Sequence, residues 1–481
     1  MERITLQEIL EATGGKLTGG YSDMLTPVTG ASSDNRRVQE GYVFFAFIGE
    51  NNDGHKYVDA ALDGGCAGCV VSRVPEKLRS DKFYVLVPDT IKAAGDLARY
   101  YRSRFHIPVI GITGSVGKTT TKDMIASVLS QKFNVLKTEG NFNNNIGLPR
   151  TIFGIENDTE IAVTEMGMNH LGEISYLTGI AKPTAVTITN IGEAHIGNLG
   201  SKDNIFRAKC EIFEGLQDGG FAVLNGDDEY LRSIARSPEK YIPDAAPDTE
   251  AESPEDKRVL LVGASDDCDF RAADLEEDES GLTFTAKTPQ GDYQVYVPAH
   301  GRHLIYPALT AAAFGWRFGL SVQEIKTGIL EYQATKMRME THICPHGIVV
   351  YNDTYNANPQ SMKAGIETLA HTAGKTHVAV LGDMFELGAM EEKLHREVGI
   401  FTAGQKIDAL VTVGKAAGFI AEEAEKNGLK KVYSCKDKEE ARDVLGSLVA
   451  DNTAFLVKAS RGMALESLSD YLCEKASELK D

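Results

Sequence analysis

The clearest chemistry in this 481-residue chain is written in Gly114-Ser115-Val116-Gly117-Lys118-Thr119-Thr120. Glycines let a backbone curl until several N–H groups point at the oxygens of one phosphate. A helix that starts at the end of such a turn adds the partial positive charge of its N-terminus. In that arrangement Lys118 would reach the β- and γ-phosphates of a nucleotide, and the Thr119 hydroxyl would hold a Mg²⁺ ion. The pattern is the short G-x-x-G-K-T-T form, because the longer phosphate-loop pattern wants glycine where this chain has Ile112. Read blandly, the segment is a glycine-rich turn with an exposed lysine. The order of apolar strand, turn, GKTT and helix favours nucleotide binding.

Three later residues have the chemistry to join a metal-dependent site. Glu165 closes an apolar run at 161–164, the strand-end position at which phosphate-loop folds often place a Mg²⁺-binding carboxylate. Taken alone, a Glu there is usually an ordinary solvated strand end. His195 follows the run 185–189 in a loop and by itself says little. Lys209 is more specific. If 204–213 is helical, Ile205, Lys209 and Ile212 share one face, which puts an amine inside an apolar stripe. Either the lysine snorkels from the stripe's edge, or it is a desolvated amine of lowered pKa. A neutral amine can capture CO₂ as a carbamate, turning a cation into an anion able to bind metal.

The elements needed to position these residues are of the α/β class, and the length suggests about three domains. Residues 1–86 carry short strand-like runs at 42–48, 69–72 and 83–87 among Gly, Asn and Asp turns, the mark of a small α/β module. A helix over 90–104 leads out of it. Residues 87–332 form the phosphate-loop domain: strands at 108–113, 161–164, 185–189 and 221–224 alternate with helices, which implies a mainly parallel sheet covered on both faces. The Pro-, Asp- and Glu-rich stretch 236–257 reads as a solvated loop. Residues 333–481, with strands at 348–351, 377–381, 409–413 and 455–457, suit an open Rossmann-like sheet. Residues 352–358 offer no G-x-G-x-x-G, so that sheet lacks a dinucleotide fingerprint.

Composition narrows the class further. Hydrophobic residues are 42%, enough for packed cores, and no apolar run is long enough to span a membrane. The opening residues lack a signal-peptide pattern, so the expectation is a cytoplasmic protein. A net charge of −19 argues against nonspecific nucleic-acid binding and requires any anionic substrate to be met by local cations, metal ions and backbone N–H groups. Seven cysteines make no disulfide framework, and Cys66-x-x-Cys69 stands alone, without a second pair or a nearby His.

Together these motifs resemble the Mur ligase family over nearly the whole chain and in family order. The elements 33–36 and 49–55 are similar to its N-terminal uridine-nucleotide module, implying Ser33, Arg36, Asp53 and His55 as contacts to a UDP-substrate. The resemblance implies ATP on Gly114 to Thr120, two Mg²⁺ ions on Thr119, Glu165, His195 and Lys209, and Lys209 as the CO₂-derived carbamate. Lys118, His195 and Lys209 would be the catalytic set, and Arg338 and Asp353 would complete the ATP site from the C-terminal domain. Segments 140–149, 165–174, 353–362, 381–388 and 458–463 look specific to the branch that joins D-alanyl-D-alanine to UDP-muramoyl-tripeptide. Asn141, Asn143, Asn144, Asn356 and Asn358 would then face peptide substrate, and the protein would be a monomer. Three positions depart from the family pattern: His303-Leu304-Ile305-Tyr306-Pro307 replaces His-Asn-x-x-Asn at the adenine, Ala459 replaces a Gly, and Asn35 replaces a Ser. Rival readings are an amide ligase for another amino acid, a nucleotide-binding protein without ligation, and an ordinary phosphate-loop switch.

Overall fold

The computed structural model describes residues 1–49, 52–245, 253–278 and 280–479. Glu50 and Asn51 of the uridine-type element, and the middle of the 236–257 stretch, lie outside the described residues. Three sheets organise the chain. The N-terminal one has five strands in the order Lys16–Thr18, Phe83–Leu86, Gly68–Val71, Tyr42–Phe45, Gly30–Ser32. One of its faces packs Phe44, Cys66, Cys69 and Tyr84 with the helix Val58–Asp63. Burial pushes the Cys66 thiol up to about 12 and Cys69 higher still, so both are small apolar fillers and not reactive thiols. The other face, through Val43, Phe45 and Val85, shares one continuous core with the central domain. The helix Thr90–Ser103 lies in that shared core and is tied across it: Arg102 Nε donates to Ala181 O at 2.9 Å and Tyr101 Oη to Ile155 O at 2.5 Å.

The central sheet has nine strands, in the order Tyr293–Val297, Leu282–Lys287, Phe270–Glu277, Val259–Gly263, Phe221–Asn225, Ala185–Ile188, Val109–Thr113, Ile161–Glu165, Val135–Lys137. Seven run parallel, as expected for strands buried on both faces; Leu282–Lys287 then pairs antiparallel with Phe270–Glu277, and Tyr293–Val297 antiparallel with Leu282–Lys287. That antiparallel extension was not expected. Its strands mix apolar residues with Thr, Asp and Glu because they sit at a sheet edge, and the blocks of apolar residue that mark a central strand are missing. Val109 points into the core shared with the N-terminal domain, whereas Ile110 and Ile112 pack under the helices Lys118–Leu129 and Ile305–Arg317. The chain leaves Val109–Thr113 toward one edge and later returns to its other side at Ala185–Ile188. The resulting crevice at the strands' carboxyl ends is where such folds bind ligands.

The C-terminal sheet has the order Glu340–Cys344, Ile348–Asp353, Thr453–Lys458, Thr376–Gly382, Ala409–Val413, Val432–Cys435, all parallel except the first. Its carboxyl ends face the central domain and supply the second wall of the site. Among the described residues, no helix is long and apolar enough to cross a membrane.

Candidate functional site

The phosphate loop leaves the sheet at Gly114, φ 147°, where a Cβ would fall 1.9 Å from Thr189 Oγ1. Only glycine fits that approach. Asn190 then grips the loop: its carbonyl accepts from Ser115 N at 3.1 Å, and its side-chain amide exchanges bonds with Val116, each 3.0 Å. Thr189 Oγ1 donates to Val116 O at 2.6 Å, and Ser115 Oγ accepts from Gly192 N at 2.8 Å. Asn190 is the clamp that composition of the loop alone does not reveal. The helix Lys118–Leu129 starts at Gly117, φ 82°, with no side-chain cap, which leaves its first-turn N–H groups for an outside acceptor. Lys118 Nζ folds back onto Gly114 O at 2.8 Å. Burial lowers its pKa, with Glu165 opposing that shift and Arg338 adding to it.

Thr119 and Glu165 meet although 46 residues apart in sequence: Thr119 Oγ1 donates to Glu165 Oε2 at 2.9 Å. The other carboxylate oxygen accepts from Asn143 Nδ2 at 2.8 Å. Asn143 therefore holds the carboxylate. Asn144 Oδ1 accepts from Ile146 N and Gly147 N and so shapes the turn into the helix Gly147–Phe153, while Asn141 is exposed.

Lys209 is 1% exposed and makes no ion pair or hydrogen bond among the described residues. Burial, reinforced by the nearby Lys118 charge, drives its pKa well below the ordinary lysine range. The helix carrying it, Lys202–Cys210, is shorter than expected and tightens into a 3₁₀ turn, Glu211–Gly215. Ile205 and Ile212 are nevertheless fully buried on either side of the lysine. His195 sits at φ 64°, with Nδ1 2.7 Å from Glu386 Oε2 of the C-terminal domain. Among the described residues no three of His, Cys, Asp and Glu gather at one point to hold an ion. Glu165 and His195 supply too few anionic donors for two divalent ions. The donor set fits Mg²⁺ if the Lys209 amine, which burial pushes toward its neutral form, is converted to a carbamate.

A cavity of about 560 Å³ joins the loop to the C-terminal domain. Ser115 to Thr120 line one side, and Arg338, Asp353, Asn356, Asn358 and Lys458 line the other. Glu165, His195 and Lys209 are not part of the lining; Glu165 is linked to it through Thr119. Lys458, 1% exposed, donates to Asp353 Oδ2 at 2.6 Å and to Asn356 O at 3.0 Å. Arg338 stacks 4.1 Å over the Tyr355 ring, and its buried Nε has no partner. Asn358 caps the helix Pro359–His371 with its side-chain oxygen. His303, Leu304, Tyr306 and Pro307 also line the cavity. Pro307 lies in the first turn of Ile305–Arg317, where no backbone bond is lost, and Tyr306 Oη donates to Asp227 Oδ2 at 3.1 Å.

The uridine-type residues form a separate patch on the N-terminal domain. Asp53 caps the 3₁₀ turn Gly54–Tyr57, accepts from His55 Nδ1 at 2.8 Å and pairs with Arg73. His55 Nε2 accepts from Ser72 N at 3.0 Å, so both ring nitrogens are spent shaping the loop. Ser33 and Arg36 are exposed, and Arg36 is held by Asp34 at 2.8 Å.

Residues 112–315 match the model of the Mur ligase middle domain, and residues 337–461 match that of the Mur ligase glutamate ligase domain. The chain belongs to the Mur ligase family. This Mur ligase is 36% identical to the UDP-N-acetylmuramoyl-tripeptide–D-alanyl-D-alanine ligase of Bacillus subtilis (strain 168), over 98% of this chain and 99% of that one. It is 33% identical to the protein of the same name from Escherichia coli (strain K12), over 99% and 100%. The crystal structure of MurF from Acinetobacter baumannii superposes with a TM-score of 0.88 at 31% identity, over 98% and 99% of the two chains. MurF ligase from Thermotoga maritima in complex with ADP gives 0.81 at 26% identity, over 95% and 99%.

Proposed function

We propose that this Mur ligase is an ATP-dependent enzyme that joins D-alanyl-D-alanine to UDP-N-acetylmuramoyl-tripeptide through an acyl phosphate, in peptidoglycan precursor synthesis. The carrying observation is the cavity between two domains, with an uncapped phosphate loop on one wall and Arg338, Asp353 and Lys458 on the other. It occurs in a chain that aligns end to end with UDP-N-acetylmuramoyl-tripeptide–D-alanyl-D-alanine ligases.

A carboxylate is a poor acyl donor because oxide would have to leave. Its oxygen attacks the γ-phosphorus of ATP, ADP departs, and the acyl phosphate carries a good leaving group. The dipeptide amine then attacks the carbonyl carbon, loses a proton, and phosphate leaves. Residues Ser115 to Thr120 orient the phosphates through backbone N–H groups, and Lys118 balances charge on the transferring group. Two Mg²⁺ ions, when bound, would screen the repulsion between carboxylate and γ-phosphate; Thr119 and Glu165 would hold one, His195 and carbamylated Lys209 the other. Arg338, its guanidinium carbon 4.1 Å from the centre of the Tyr355 ring and its Nε without a partner, would meet the nucleotide from the opposite domain. Seating the C-terminal domain excludes water that would hydrolyse the acyl phosphate. Leu304, Tyr306 and Pro307 would give the base an apolar and aromatic bed in place of amides.

The reading is tested by phosphate release from ATP with purified protein, Mg²⁺ and UDP-muramoyl-tripeptide, with and without D-alanyl-D-alanine. Release that needs both substrates, with a product heavier by the dipeptide, supports it. No release with either a lysine- or a diaminopimelate-containing tripeptide overturns it.

A further inference from the structure

His195 is met from across the domain boundary, and three observations make that contact more than a surface ion pair. First, both partners adopt a conformation that side chains other than glycine rarely take: His195 and Glu386 each have φ 64°. Second, the backbones themselves touch. Gly197 N donates to Glu386 O at 3.3 Å. A Cβ on Gly197 would fall 2.7 Å from both Glu386 O and Gly388 N, so a side chain at 197 would push the domains apart. Ile196, between His195 and Gly197, packs against the central core and the C-terminal core at once.

Third, the loop carrying Glu386 is bolted to its own domain. Met384 N donates to the buried His395 Nε2 at 3.0 Å, Phe385 N to Ser460 Oγ at 2.8 Å, and Asp383 Oδ1 accepts from Ala417 N at 2.7 Å. Leu387 is buried in the C-terminal core. Glu386 thus projects from a fixed base toward the central domain and moves only when the C-terminal domain moves. A carboxylate 2.7 Å from Nδ1 attracts a proton to that nitrogen by its charge, although the pair is not aligned as a hydrogen bond, and a proton there leaves the Nε2 lone pair free for a metal.

We propose that Glu386 is a positioning residue for His195, and that docking of the C-terminal domain through 195–197 and 386–388 is what sets the imidazole for metal binding. The inference rests on the proposed role of His195 as a metal ligand. It makes the second ion site complete only in the docked arrangement, so that acyl transfer waits for closure.

The test is Mn²⁺ binding to the full-length protein, read by electron paramagnetic resonance with a non-hydrolysable ATP analogue present, beside small-angle scattering of the same samples. Glu386→Ala is expected to weaken the weaker Mn²⁺ site about tenfold, and Glu386→Gln, which keeps the shape of the contact and loses only its charge, by less. Gly197→Val keeps both side chains but wedges the interface; it is expected to weaken the same site and enlarge the particle. Loss of Mn²⁺ binding in His195→Ala, with unchanged binding in Glu386→Ala and Gly197→Val, overturns the positioning role alone. Unchanged binding in His195→Ala overturns the metal assignment and this inference with it.

Discussion

At the scale of single residues, the site is governed by what burial does to charge. Lys209 has no partner, is shut away between Ile205 and Ile212, and is pushed toward its neutral form. A bare buried cation there would cost far more than it returns. Lys209→Ala is expected to lower the ligation rate by about 10²-fold or more, the scale of removing one transition-state charge stabiliser, and added short-chain carboxylates should restore part of it. Full activity in the variant would end the carbamate role. Lys458 shows the opposite solution, since it is equally buried but paired with Asp353. Asp353→Ala strands that ammonium, and the expected loss is about 3 kcal/mol, read as a lower midpoint in urea. An unchanged midpoint would mean that another group neutralises Lys458.

At the scale of elements, the decisive piece is the turn between Val109–Thr113 and Lys118–Leu129. Local sequence sets its curl, but Asn190 from the next strand's end holds its shape. Gly114→Ala would drive a methyl group against Thr189. The expected result is about 1–3 kcal/mol of destabilisation with loss of nucleotide-analogue binding by calorimetry. Binding at wild-type strength would show that the loop tolerates the displacement. The asparagine-rich loop before Gly147–Phe153 serves a similar end, with Asn143 orienting Glu165 and Asn144 shaping the turn.

At the scale of the whole molecule, the N-terminal and central domains share a core, whereas the C-terminal domain has cores of its own and meets the rest across the cavity. Arg338 belongs to that separate body. Arg338→Ala is therefore expected to raise KM for ATP and lower kcat, while leaving the affinity for the UDP-substrate, which we propose the N-terminal patch holds, within about twofold, the range of additivity for distant sites. An equal loss of UDP-substrate affinity would show that the three domains bind as one unit.

Sequence alone determined the parts whose meaning is local. Glycines at 114 and 117 followed by Lys118 and Thr119 dictate a backbone turn and its donors within a few residues, and the apolar runs at 108–113 and 161–164 declare strands buried on both faces. The order of these motifs carried the family, and Glu165 and Lys209 were legible as candidates because strand ends and helix stripes have fixed geometry. Only the tertiary structure decided the pairings across long separations: Asn190 on the loop, Asn143 on Glu165, Lys458 on Asp353, Glu386 on His195, and His55 spent between Asp53 and Ser72. The antiparallel strands from Phe270 to Val297 were likewise hidden, because an edge strand tolerates polar residues that blur its period. Chain geometry fixes what a residue can offer its neighbours; which distant group takes up the offer depends on how whole sheets and helices pack.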